Sequence, residues 1–152
     1  MADREQILAE MTTARERLMA AVEGLSDEHM TRPVVGEWSA KDLMAHVACW
    51  EEVLLPDIQR LARGDAPALA AFDIKKVDEW NEKLMSLRRH FSLEQARREL
   101  EFRREQLLDA VAKLPDSALA ERQFARNLLK VCVIHDGEHT QDIRDWRKRQ
   151  GL

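Results

Sequence analysis

Apolar residues recur along this chain at three- and four-residue intervals, the period of amphipathic helices rather than of strands. The first block, Ile7, Met11, Ala14, Leu18 and Val22, predicts a helix from about Asp3 to Glu23, with Gly24 as its natural C-terminal stop. Ser26 to Glu37 reads as a connector with room for one short turn, punctuated by Pro33 and Gly36. Ser39 and Asp42 then make a capping-box-like start to a second helix, which carries Leu43, His46, Val47, Trp50, Val53, Leu54, Ile58 and Leu61 and stops at Gly64. Pro56 inside that helix removes one backbone donor and should bend it. The stretch from Gly64 to Phe72 reads as a loop.

Ile74, Val77, Trp80, Leu84 and Leu87 predict a shorter helical stretch ending near His90. A second capping box, Ser92 with Gln95, opens a long helix through Leu93, Ala96, Leu100, Leu107, Val111 and Leu114, and Pro115-Asp116 breaks it. The last helix is expected to begin between Ala125 and Leu128 and to end near Lys148. Nothing alternates as a strand, and no internal repeat is visible. The economical architecture is all-α, a four-helix bundle with an additional short lateral helix.

Composition agrees with helix: Ala, Leu, Glu and Arg dominate, against 5 Gly and 4 Pro in 152 residues. That length is most simply a single domain spanning 1–152, long enough to bury a core. The net charge of -4 argues against a general nucleic-acid binder. The Arg pairs Arg88-Arg89, Arg97-Arg98 and Arg103-Arg104 are interleaved with Glu94, Glu99, Glu101 and Glu105, which reads as a solvated face. The N-terminus is charged from the start, and no apolar run approaches the ~20 residues a bilayer requires. A soluble, cytoplasmic protein is expected, with Cys49 and Cys132 reduced and no membrane partner.

Within the last helix, Leu128, Cys132, His135, His139, Asp142 and Trp146 step 4-3-4-3-4, the spacing of a buried bundle seam. Four residues of helix turn the side chain by about 40° and raise it about 6 Å, so His135 and His139 face one way. Polar rings in such a seam are costly to bury unless something satisfies them, and a divalent metal would. His46, on the apolar-lined second helix, offers a third neutral nitrogen. Three histidines leave a further coordination position for water or substrate, the arrangement of a catalytic rather than a structural site. The string from His135 to His139 also matches H-x-x-E-H. A protease is discounted, because only Thr140 to Leu152 remain to supply the downstream acidic ligand such enzymes need.

The run Trp38-Ser39-Ala40-Lys41-Asp42-Leu43-Met44-Ala45-His46-Val47-Ala48-Cys49-Trp50-Glu51 resembles the W-S-x-x-D-L-x-x-H-x-x-x-W-E signature of the DinB-like superfamily. His135 through Ile143 resembles that family's last-helix H-x-x-x-H-x-x-x-I, and Val77 to Asn81 and Leu114 to Asp116 are similar more weakly. The resemblance implies an up-down-down-up bundle, often a homodimer, with a divalent metal, commonly nickel or zinc, on residues that map to His46, His135 and His139. It further implies a small-molecule substrate, since related proteins include bacillithiol-dependent S-transferases and mycothiol-dependent maleylpyruvate isomerases. On that basis the chain is expected to be a metal-dependent thiol transferase or hydrolase. A non-catalytic stress-response binding or sequestration protein with a vestigial site is the alternative.

Many family members carry Gln just after the second helix-4 His, whereas Thr140, Gln141 and Asp142 occupy that region here. Asp142 shares the face of the two histidines. It is either an acceptor that fixes an imidazole tautomer or, the simpler reading, an exposed helix carboxylate. Glu138 and Asp142 are the candidate catalytic proton acceptors. Cys49 and Cys132 lie three residues from His46 and His135 on the sides that meet in the implied topology. They read as small core residues, with a redox-sensitive pair as the alternative. Trp38, Trp50, Trp80 and Trp146 read first as packing residues, with Trp50 and Trp80 also candidates to wall a substrate pocket.

Overall fold

Two side-chain caps set where the inner helices begin. The Ser39 hydroxyl accepts from the Asp42 N–H at 3.2 Å while the Asp42 carboxylate accepts from the Ser39 N–H at 3.0 Å. Ser92 and Gln95 exchange the same pair of bonds at 3.1 and 2.8 Å. Such reciprocal caps satisfy helix-end donors that would otherwise be orphaned, at about 1 kcal/mol each. The computed structural model describes residues 2–152. In chain order it contains α1 (Ala2–Val22), α2 (Asp27–Met30), β1 (Pro33–Val35), β2 (Trp38–Ser39), α3 (Ala40–Ala62), α4 (Val77–Ser86), α5 (Leu93–Ala112) and α6 (Phe124–Gln150). Among the described residues no helix is long and apolar enough to cross a membrane.

The all-α expectation is met, with two local differences. The connector before α3 holds not only the short α2 but also a small antiparallel hairpin, in which Val35 pairs with Trp38 and Pro33 with Ser39. Gly36, at φ +54°, supplies the left-handed residue that its tight turn needs. Strands of two and three residues are too short to show alternation, so the sequence pattern passes over them. The loop after α3 is also better ordered than its composition suggests. The buried Asp57 carboxylate accepts from the backbone N–H groups of Ala68 (2.9 Å) and Leu69 (2.7 Å).

The core gives the helix directions. One apolar cluster joins the C-terminal part of α1 (Leu18, Val22) to the start of α3 (Leu43, Val47), the start of α5 (Ala96, Leu100) and the end of α6 (Ile143, Trp146). The other joins the start of α1 (Ile7, Met11) to the ends of α3 (Leu54, Ile58) and α5 (Leu107, Val111) and the start of α6 (Ala125, Leu129). Helices α1 and α6 therefore run one way and α3 and α5 the other, an up-down-down-up bundle with α4 as the lateral helix. The most extensive packing is α3 on α5 and α1 on α6, so the bundle is two helix pairs laid together.

Between the two apolar clusters lies a band of charge, with one residue from each main helix. Arg15 of α1 grips Asp136 of α6 through Nε (2.9 Å) and Nη2 (3.2 Å), and Nη2 also reaches Glu51 of α3 at 2.7 Å. Arg104 of α5 donates to Glu51 from Nε (2.9 Å) and Nη2 (2.5 Å) and to Asp136 from Nη2 (3.1 Å). Burial works against the Arg104 charge, but the adjacent Glu51 and Asp136 carboxylates hold its pKa above the usual arginine value. Two cations and two anions leave the quartet neutral.

The quartet corrects two sequence readings. Arg104 and Arg88 are buried rather than part of a solvated face, although the exposed Glu94–Arg98 pair and the half-buried Glu99–Arg103 pair form as expected. The inward face of α6 is Leu129, Cys132, Asp136, Ile143 and Trp146, one position round from the expected seam, and His135, His139 and Asp142 stand half-buried at its edge. Truncating one member of a buried ion network strands its partners' charge. Arg104→Met is therefore expected to lower the urea-unfolding free energy by about 3–5 kcal/mol, whereas Arg98→Ala, on an exposed pair, should cost under about 1 kcal/mol.

Candidate metal centre

The site is assembled from two short stretches. The capping box starts α3 at Ala40 and so places His46 within the second turn, where its ring is buried at 4% exposure. The hairpin ends on Trp38, whose ring packs on His46 with centroids 4.6 Å apart. On α6 the i,i+4 spacing stacks His135 and His139, ring centroids 4.6 Å apart. Both rings meet His46, at 4.6 Å from His135 and 5.2 Å from His139. The three residues each present a ring nitrogen within 4.8 Å of the others, a group that could hold a metal ion.

The chemistry of these nitrogens fits a cation. Asp142 Oδ2 lies 3.0 Å from His139 Nδ1. An ionised carboxylate only accepts, so a neutral His139 ring in this contact carries its proton on Nδ1 and offers its Nε2 lone pair. His139 Nε2 and His46 Nδ1 are both buried and have no hydrogen-bond partner. Burial, with the neighbouring His135 and His139, pushes the His46 pKa down to about 2. Burial and His139 push His135 down to about 4, Arg15 adding to the depression and Asp136 opposing it. Both rings are thus neutral near pH 7, the ligating form, and imidazole suits zinc, nickel, copper and iron ions.

All three histidines expected from the sequence come together. Asp142 is not isolated in solvent but lies against His139 Nδ1. Glu138 lies on the exposed side of α6. Cys49 and Cys132 are buried free thiols that face different charged groups: Arg88, Glu52 and Glu99 beside Cys49, and Glu51, Arg104, Asp136 and Arg15 beside Cys132. Burial raises both to about 12, which suits core residues rather than a reactive pair. Trp50 donates from Nε1 to Asn81 Oδ1 at 2.7 Å, and Phe72 sits between Trp50 (5.9 Å) and Trp80 (6.1 Å) as a row of aromatic rings. Sequence reasoning missed Trp38 as the cover of His46 and Asp136 as an inward residue. The signal for Asp136 was its place in the alternative 3-4 series with Leu129, Cys132 and Ile143.

The sequence profile of the DinB superfamily matches residues 10–143, and this chain belongs to that superfamily. A solved structure described as Sibling Lethal Factor Precursor - DfsB is similar over 97% of this chain and 96% of its own, with a TM-score of 0.79 and 16% identity, a likeness of fold. No curated protein matches.

The buried neutral histidines have a consequence for acid stability. In the unfolded chain a histidine takes up its proton near pH 6.5. In the folded apo-protein His135 resists until about 4 and His46 until about 2. The unfolded state therefore binds more protons between pH 6.5 and 4, so stability falls as pH falls through that window, by up to about 1.4 kcal/mol per pH unit for each histidine. Urea midpoints of metal-free protein are expected to drop from pH 7 to 4.5, and His46→Asn should flatten the drop. A midpoint independent of pH would refute the neutral buried pair.

Proposed function

We propose that this chain is a metal-dependent enzyme in which His46, His135 and His139 hold a divalent ion, nickel or zinc, for thiol transfer to a small electrophile or for its hydrolysis. The observation that carries the reading is the convergence of three imidazoles with His46 Nδ1 and His139 Nε2 buried and unpartnered. Two buried ring nitrogens left without a hydrogen-bond partner are costly unless a cation or other polar group satisfies them. A bound divalent ion would lower the pKa of a low-molecular-weight thiol or water in its open position and so supply a nucleophile at neutral pH.

The chain's own residues do the rest. Asp142 holds the His139 Nδ1 proton and keeps the opposite nitrogen aimed into the cluster. Trp38 covers His46 and keeps water from that side of the ring. Glu138, exposed on α6 and next to His139 in sequence, would accept a proton on the solvent side. The homodimeric state implied by the family resemblance, and the cytoplasmic setting expected from the sequence, belong to the same proposal. A second reading is a non-catalytic binding or sequestration protein with a vestigial site.

Metal analysis of protein purified without an affinity tag tests the site directly. Nickel or zinc is expected to copurify or, when added, to raise the thermal midpoint. His135→Ala should abolish uptake with the helical circular dichroism unchanged, and Asp142→Ala should weaken binding roughly 10–100-fold. A thermal midpoint indifferent to both ions, with none copurifying, would sink the enzyme reading. Turnover of an electrophile with several low-molecular-weight thiols, absent in His135→Ala, separates the enzyme from the vestigial site.

A further inference from the structure

We propose that Arg15 and Arg104, on the two main helices that carry no histidine, are positioning residues that hold the two metal-bearing helices in register. The proposal rests on the metal-site reading above. The α3 helix, with His46, packs chiefly on α5, and α6, with His135 and His139, packs chiefly on α1; direct packing of α3 on α6 is thinner. The three imidazoles therefore sit across the seam between two helix pairs. Apolar packing on either side of that seam leaves small slides and rotations inexpensive, because dispersion contacts are non-directional.

The ion quartet removes that freedom. Each arginine bonds to both acids, so each ties α3 to α6 directly: Arg15 through Glu51 (2.7 Å) and Asp136 (2.9 Å), Arg104 through Glu51 (2.5 Å) and Asp136 (3.1 Å). A planar guanidinium fixes the direction of its partners as well as their distance. Asp136 adjoins His135 in sequence, about 100° round the helix, so any turn of α6 that moves one carboxylate moves the ligand through the same angle. Glu51 lies five residues from His46, about 7.5 Å or a little over one turn along α3, and anchors that helix. The remaining donors pin the arginines to backbone: Arg15 Nη1 to the Leu100 carbonyl at 3.3 Å and Arg104 Nη1 to the Met11 carbonyl at 3.1 Å.

Zinc affinity measured by competition with a chelator, beside the thermal midpoint, separates positioning from mere stability. Arg15→Lys keeps the charge but loses the fork, and Glu51→Gln removes one charge at nearly constant volume. Each folded variant is expected to bind zinc about 10–100-fold more weakly, the usual loss when a residue behind a ligand is changed. Leu107→Ala, in the apolar cluster away from the site, is the control: it should lower the thermal midpoint while leaving zinc affinity near wild type. Wild-type affinity in folded Arg15→Lys or Glu51→Gln, or an equal loss in Leu107→Ala, would overturn the proposal. A readout needing no variant follows from reciprocity: zinc added to the wild type should slow hydrogen exchange at the Arg15 and Arg104 Nε–H groups. Unchanged exchange with zinc bound would count against positioning alone, whereas a wild type that binds no zinc would remove the metal-site reading and this proposal together.

Discussion

A single neutral ion quartet holds this bundle in its arrangement. Arg15, Glu51, Arg104 and Asp136 come one from each main helix and sit where two apolar clusters leave off. Apolar burial supplies most of the drive to fold, but it is indifferent to small changes of register. Directional charge-assisted bonds are not. The quartet's worth is thus in specificity more than in stability, since a well-packed apolar replacement of a buried ion group is often as stable. On the proposed reading specificity has a use, because a three-histidine cluster drawn from two helices would hold an ion only if those helices keep their mutual height and rotation.

The site shows the same economy. Three rings converge, and their neighbours set the conditions: burial and mutual repulsion keep His46 and His135 unprotonated, Asp142 sits against His139 Nδ1, and Trp38 covers His46. None of these is a special conformation. Each follows from an ordinary element: a capped helix start, an i,i+4 pair, an i,i+3 carboxylate, and a hairpin turn that needs one glycine at positive φ.

Much of this was legible in the sequence. The helix spans followed from apolar periodicity, and Ser39 with Asp42 and Ser92 with Gln95 marked two helix starts to the residue. The histidines were visible from spacing for His135 and His139 and from its apolar-lined helix for His46, and the family resemblance joined the three. What escaped has physical reasons. Along α6 the series through Leu128, His135 and Asp142 and the series through Leu129, Asp136 and Ile143 fit a helical seam equally well. Only the distant guanidinium groups of Arg15 and Arg104 make Asp136 the one that points inward. Arg104 looked solvated because its sequence neighbours are, and a partner on another helix leaves no local trace. The hairpin carrying Trp38 was too short to show a period.

The three histidines and their immediate supports occupy only two short stretches, residues 38–46 and 135–142. The long span between them supplies Glu51 and Arg104 to the quartet but no ligand, and it includes the lateral helix α4 and the loop that Asp57 ties down. That lateral region can lengthen, shorten or change its side chains while the histidine cluster stays as it is. Such a division lets a lineage of bundles diversify what is recognised beside the centre without redesigning the centre itself.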